Sequence, residues 1–273
     1  MSSLDSGRVA LMDALSVRLD QLAPAFTVPV TPRQPWLRVI GLFGSRAVEF
    51  RRAIELQLPT SPAAALVILR ALVDLTILTL WVEHCPKLHL ALWGAEGDRE
   101  AVQHLDEMAA LLAERQIPVP RADLPPETWK MRMRQSVERY RKIALVHGVP
   151  ISKKPGDPLL PNVRDRARSL RLSELEVYDI AFGQVSAWTH SKARAFQFEI
   201  VEGGTGLRLI ADPRTTPETI RRSAISFQAG TGAAVSRMLG LGLEQEYDFI
   251  RWSTTRQQDG EAGPMGTGSV GET

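Results

Sequence analysis

The chain has one cysteine, Cys85, in 273 residues, so no internal disulfide is possible and a reducing, cytoplasmic setting is expected. Aromatic residues make up 6% of the chain, with three tyrosines. This scarcity, beside abundant Leu and Ala, argues against a β-sandwich and for helices. The N-terminal stretch MSSLDSGRVALMDAL has no long apolar run, which excludes a secretory signal of the usual form. No P-loop, GxSxG, HExxH or paired CxxC is present. EGGTG (residues 202–206) lacks the strand-to-helix setting of a dinucleotide fingerprint and reads as a turn. His84, Cys85 and His89 are close in sequence, but Pro86 separates the first two from the third. No metal site and no cofactor are expected.

What is there is apolar periodicity. Of the chain, 44% is hydrophobic, enough for a sizeable core. The most apolar stretch, residues 63–85, approaches the length of a bilayer span, but Arg70 and Asp74 interrupt it near its centre. Two charges there would be costly in lipid. The segment therefore reads as the central buried helix of a soluble protein, with no membrane as partner.

Helices are expected at about 8–22, with Val9, Met12, Leu15, Leu19 and Leu22 as its stripe, and at 36–58. Thr60-Ser61-Pro62 opens the central helix by capping hydroxyl and N1 proline, and Pro86 ends it. Asp98 is placed to cap the next helix, whose stripe is Val102, Leu105, Met108, Ala109 and Leu112. A long basic helix follows over residues 126–148, then a proline-rich loop, then a short basic helix over 162–170. Ser173 and Glu176 form a capping box for a helix reaching His190. Alternation around Gly-Gly-Thr-Gly predicts a β-hairpin at about 196–211. A final long helix starts at Thr216-Pro217-Glu218, with Gly230, Gly232, Gly240 and Gly242 loosening its middle and end. Residues 253–273 read as a disordered tail. The class is mainly α: one irregular multi-helix bundle over 1–252, around the central apolar helix, with one small β-hairpin.

Charge is uneven. Residues 121–171 hold 13 basic and 5 acidic residues, net +8, while the flanking stretches are net −2 and −4. Such a block marks either an anionic partner, RNA above all, or a merely solvated face. Lys130, Arg134 and Arg141 are spaced to share one helix face, and Arg164, Arg168 and Arg171 another.

Three constellations carry candidate chemistry. Arg70 and Asp74, one turn apart in an apolar helix, make either a structural clasp or the floor of a site. Ser186, His190 and Arg194 line up along one face of another helix. A hydroxyl, an imidazole able to move protons and a guanidinium able to hold phosphate suit phosphodiester cleavage. The alternative is a helix-end histidine bonded to a carbonyl. The third is Arg141-x5-His147.

Arg141-x5-His147 resembles the Arg-x(4–6)-His motif of the HEPN superfamily, helical domains that include metal-independent ribonucleases. The resemblance implies a homodimer in which Arg and His of two subunits face each other. Lys142 stands where that motif usually has another polar residue. Arg70-x3-Asp74 followed by Tyr178-x7-Ser186-x3-His190 is similar to a family of mainly helical bacterial proteins that pairs an Arg-x3-Glu helix with a Tyr-Ser-x3-His helix, some of them HEPN-like and found among defence proteins. Asp74 departs from that pattern, where Glu is usual. The resemblance spans about residues 35–240 and implies that Arg70, Asp74 and His190 converge on one polar pocket, with His190 within about 6 Å of Arg70 or Asp74. The function expected is thus an RNA-directed, HEPN-like protein of a toxin or phage-defence system. A non-enzymatic helical interaction protein with a buried Arg/Asp/His network is the alternative.

Overall fold

The protein is mainly helical. The computed structural model describes residues 3–27, 35–117, 127–170, 198–200, 207–209 and 216–259. Among these are eight α-helices: α1 (Ser3–Leu22), α2 (Pro35–Gln57), α3 (Pro62–His84), α4 (Pro86–Glu114), α5 (Glu127–Val146), α6 (Val163–Ser169), α7 (Pro217–Leu239) and α8 (Glu244–Asp259). Strands β1 (Phe198–Ile200) and β2 (Leu207–Leu209) pair antiparallel, with Phe198 opposite Leu209 and Ile200 opposite Leu207. The remainder of the expected hairpin lies outside the described residues.

One bundle over 1–252 was the expectation, but the chain divides into two compact units. The first comprises residues 1–80 and 172–273, and the second residues 81–171.

In the first unit, α7 packs against α1, α2 and α8. Residues 227–236 of α7 are buried without interruption, so neighbours cover its whole circumference. This run (FQAGTGAAVS) is rich in small residues, which let other helices approach closely. Its low side-chain bulk is why hydropathy does not single it out, whereas the more apolar α3 stands out at once. By length and composition α3 is also the one helix among the described residues apolar enough to cross a membrane. It is tied to α7 through Thr76, whose hydroxyl lies 2.9 Å from Thr231 Oγ1 and 3.2 Å from the Phe227 carbonyl. Met12, Leu15, Leu19 and Leu22 of the α1 stripe are buried, while Val9 is exposed.

The final long helix expected from Thr216 is two helices. Thr216 does cap α7, its hydroxyl accepting from the Thr219 amide. Gly240 ends α7 at φ 67°, and the Leu241 amide returns to the Ser236 carbonyl, a turn only a residue free of Cβ adopts cheaply. Ser236 then joins the pair, accepting from the Leu243 amide and donating to Glu244. Gly232 does not loosen α7. A Cβ there would stand 2.7 Å from Tyr247 Cδ1, so the glycine is the seat of the tyrosine ring. α8 runs to Asp259, so residues 253–259, expected in the tail, are helical. The rest of that tail lies outside the described residues.

In the second unit, α4 packs against α5. Asp98 is not a cap: α4 begins twelve positions earlier, with Pro86 at its first turn, and passes through Gly94, Gly97 and Asp98. Proline costs a helix nothing at N1. Burial of Leu90, Leu92 and Ala95 outweighs the roughly 1 kcal/mol that each glycine costs. The predicted stripe on this helix is buried only at Val102, while Met108 is exposed.

The proline-rich segment 149–162 has no regular structure yet is firmly placed. Leu159 is fully buried against Ala95 and Val137, with Tyr140 and Ile151 packed alongside.

Candidate functional site

The basic helix α5 has two faces of different character. Lys130, Val137, Arg141 and Ala144 are buried and share the side that packs inward. Lys130 Nζ lies 3.2 Å from Glu127 and 3.3 Å from Asp106 of α4, and Arg134 donates to the other oxygen of Asp106. Burial would raise the Asp106 carboxyl, but the bonds from Arg134 and Lys130 outweigh it and hold the group below its ordinary range. Glu127, then Asp106, hold the Lys130 ammonium above its ordinary range.

Arg141 is 2% exposed. Its Nε donates to Glu138, Nη1 to the Ser152 carbonyl at 2.8 Å and Nη2 to the Asp157 carbonyl at 2.5 Å. The expectation that Lys130 and Arg141 offer charge to a ligand is therefore corrected. Both point into the protein, because a long basic side chain can bury its stem while its head finds carboxylates or carbonyls. Arg134 remains exposed but is paired. His147 is exposed just beyond the end of α5, so Arg141 and His147 do not present a common face.

The opposite face of α5 carries Arg132, Arg139 and Lys142, all exposed, at spacings of seven and three. None makes an ion pair with a described residue. Lys153 and Lys154 are exposed on the following loop, and Arg164 and Arg168 on α6, where Arg168 approaches Asp165 at 3.6 Å. Arg171 lies outside the described residues. Of the cations singled out by spacing, Arg134, Arg164 and Arg168 are thus exposed while Lys130 and Arg141 are buried, and Arg132, Arg139 and Lys142 join the solvent-facing set.

Two buried polar contacts lie within this unit, one an acid-base pair and one a histidine on a carbonyl. Glu96, buried on α4, accepts from Arg99 and, through its other oxygen at 2.6 Å, from the Leu159 amide. The hydrogen bond from Arg99 to Glu96 raises the guanidinium pKa above its already high range. His89 stacks on Trp81 with ring centroids 3.7 Å apart, and its Nδ1 donates to the Trp81 carbonyl at 2.5 Å. Burial, reinforced by nearby His84 and opposed by that carbonyl bond, pushes the imidazole below its ordinary value. Among the described residues no three of His, Cys, Asp and Glu come together as metal ligands.

In the first unit, Arg70 and Asp74 stand one turn apart on α3, both half-buried, and each takes part in a polar or electrostatic contact. Ser186, His190 and Arg194 lie outside the described residues, and with them the expected meeting of His190 with Arg70 or Asp74.

The first unit holds a second polar centre that the spacing did not suggest. Arg51 of α2 is 1% exposed and reaches three partners at once: Asp20 of α1, Glu55 one turn along α2, and Gln228 of α7 at 2.6 Å. Glu55 also accepts from Ser16 at 2.5 Å and Arg221 at 3.3 Å, and Arg221 reaches Asp13 at 2.7 Å. The signal was the Arg-x3-Glu spacing of Arg51 and Glu55.

No family model matches the chain, and neither a curated protein nor a solved structure matches it.

Proposed function

We propose that the protein binds RNA through the solvent face of its second unit, as an HEPN-like helical protein. The observation that carries the reading is the sorting of charge on α5. The carboxylates Glu138 and Asp106 are occupied by Arg141, Lys130 and Arg134. Arg132, Arg139 and Lys142 face water and make no ion pair with a described residue. Uncompensated cations at helical spacing attract a polyanion, and each phosphate they meet releases condensed counterions.

The activity that the resemblance suggests is metal-independent cleavage of RNA in a toxin or phage-defence setting. His190 would act as general acid and base, Arg70 would stabilise the phosphate charge, and Asp74 and Ser186 would orient them. The test is a filter-binding titration of labelled single-stranded RNA at two salt concentrations, followed by an assay of cleavage. Binding that weakens steeply with salt, and flattens on charge reversal at Arg139 and Lys142, supports the RNA reading. Cleavage lost in His190→Ala at unchanged melting temperature supports the enzyme. Indifference to RNA at both salts sinks both.

One observation favours the second reading, a non-enzymatic helical interaction protein. The buried cations Arg51, Lys130 and Arg141 are each consumed by structural partners. On that reading His190→Ala lowers stability instead of activity.

A further inference from the structure

The loop after α5 has an unusual construction. Residues 152–157 (Ser-Lys-Lys-Pro-Gly-Asp) set four exposed residues between two half-buried ends, Ser152 and Asp157. Both ends are held by one buried side chain, Arg141, which donates to the Ser152 carbonyl at one end and the Asp157 carbonyl at the other. The ends are also bonded to each other, Ser152 Oγ to Asp157 Oδ2 at 2.5 Å, and the Lys154 amide donates back to Ser152 Oγ at 3.2 Å. Arg99 of α4 reaches the Gly156 carbonyl at 3.3 Å, and Leu159 plugs the core two residues on. Pro155 fixes one φ, and Gly156 takes φ 86°, which a residue with a side chain adopts only at a cost.

All these bonds hold the backbone of two lysines whose side chains bond to no described residue. Lys153 and Lys154 are exposed and make no ion pair with a described residue. A loop meant only to connect α5 to α6 would not need a buried arginine at its neck. A loop meant to present charge would, since a backbone already held in place does not have to be ordered at the moment of binding.

We propose that residues 152–157 form a preorganised phosphate-binding finger, in which Lys153 and Lys154 contact adjacent phosphates of single-stranded RNA and Arg141 is the positioning residue that never touches the ligand. The proposal rests on the RNA-binding reading above and names the element within the basic surface that makes the contacts. It also gives Arg141 a part in binding that its burial otherwise denies it.

The experiment is fluorescence anisotropy of labelled oligouridylate against the full chain across a salt series, with three variants. Lys153→Ala/Lys154→Ala removes two phosphate contacts. Its salt slope is expected to be shallower by about 1.4 and its affinity about 25-fold lower at about 0.1 M salt, at roughly 0.7 per contact on a single strand. Arg141→Gln and the milder Ser152→Ala keep both lysines, so their slope is expected to hold while affinity falls roughly fivefold, the equivalent of about 1 kcal/mol of lost preorganisation. Trypsin adds an independent readout. The Lys153–Lys154 bond is expected to be cut slowly in the wild type and faster in both neck variants. Ser152→Ala keeps the test meaningful if Arg141→Gln fails to fold. If the wild type ignores RNA at low salt, the RNA reading falls and the finger with it. If the wild type binds and the double lysine variant binds equally with the same slope, the finger alone is overturned. If Ser152→Ala matches the wild type in both affinity and trypsin cleavage, the positioning role is overturned.

Discussion

Arg51 Nε donates to Gln228 Oε1 over 2.6 Å although 177 residues separate the two along the chain. The bond joins α2 to α7 in the interior of the first unit, and it fixes which way the Gln228 amide points. With Asp20 and Glu55 on its other nitrogens, the guanidinium is held by three helices. Removing one partner of a buried ion pair strands the others. Arg51→Met is expected to destabilise the protein by about 3–5 kcal/mol, read as a lowered urea midpoint. Arg51→Lys keeps the charge but cannot reproduce a fork that reaches three partners, so a clear loss remains. A midpoint unchanged in Arg51→Met would mean that the network contributes nothing to folding.

Two glycines in α7, two residues apart and so on opposite sides of the helix, give opposite expectations. At Gly232 a Cβ would enter the Tyr247 ring, so Gly232→Ala is expected to cost about 1–3 kcal/mol through overpacking. At Gly230 the nearest atom to a new Cβ is Thr76 Cγ2 at 3.6 Å, an ordinary contact. There the gain in helix propensity of up to about 1 kcal/mol is expected to show. Paired urea titrations of the two variants check the sign of each. Equal effects would mean that backbone entropy, not the Tyr247 contact, sets both.

Tyr247 brings a second consequence. Its ring is buried, stacked near Phe26 at 6.0 Å, while its hydroxyl finds no hydrogen-bond partner among the described residues. Burial drives the phenol pKa upward, so the group stays neutral. Tyr247→Phe removes a buried polar atom without removing the ring. It is expected to leave the protein as stable as before or more stable by about 1 kcal/mol. A loss above that would reveal a partner for the hydroxyl.

His89 makes stability depend on pH in a definite direction. Burial first, then the neighbouring His84, lowers its folded-state pKa, so the unfolded chain takes up the proton at a higher pH than the folded one. Its contribution is fully present above the unfolded value of about 6.5 and is lost as pH falls from there towards the folded pKa. Chemical denaturation at neutral pH and again at about pH 5 is expected to show a larger loss for the wild type than for His89→Phe. That variant keeps a ring against Trp81 but carries no titrating group. Identical losses would assign the pH response to other groups.

Much of the helical layout was legible in the sequence because its signals are local. Ser61 and Thr216 mark helix starts by their hydroxyls, Pro86 marks the end of α3 by its ring, and Leu15 and Leu19 mark a core face by spacing alone. The errors came where a local signal competed with burial. Asp98 had the chemistry of a cap, but Leu92 and Ala95 extend the buried face of α4 through it. Gly232 had the signature of weakness, and became a seat because Tyr247 of the next helix arrives against it.

For the candidate site, the sequence by itself determined the inventory: a basic block over residues 121–171, an Arg70/Asp74 pair on an apolar helix and a loop too rich in proline for regular structure. Only the tertiary structure decided which cations are available. Charge at a given spacing says that residues share a helix face, not whether that face meets water or another helix. The packing of α4 on α5 settles it, turning Lys130 and Arg141 inward, where carboxylates and loop carbonyls satisfy them, and leaving Arg132, Arg139 and Lys142 in solvent. The same holds for Arg51. Its spacing to Glu55 was visible, but Asp20 and Gln228 reach it only when α1, α2 and α7 close around a single guanidinium, because a buried arginine is stable only where several distant acceptors converge.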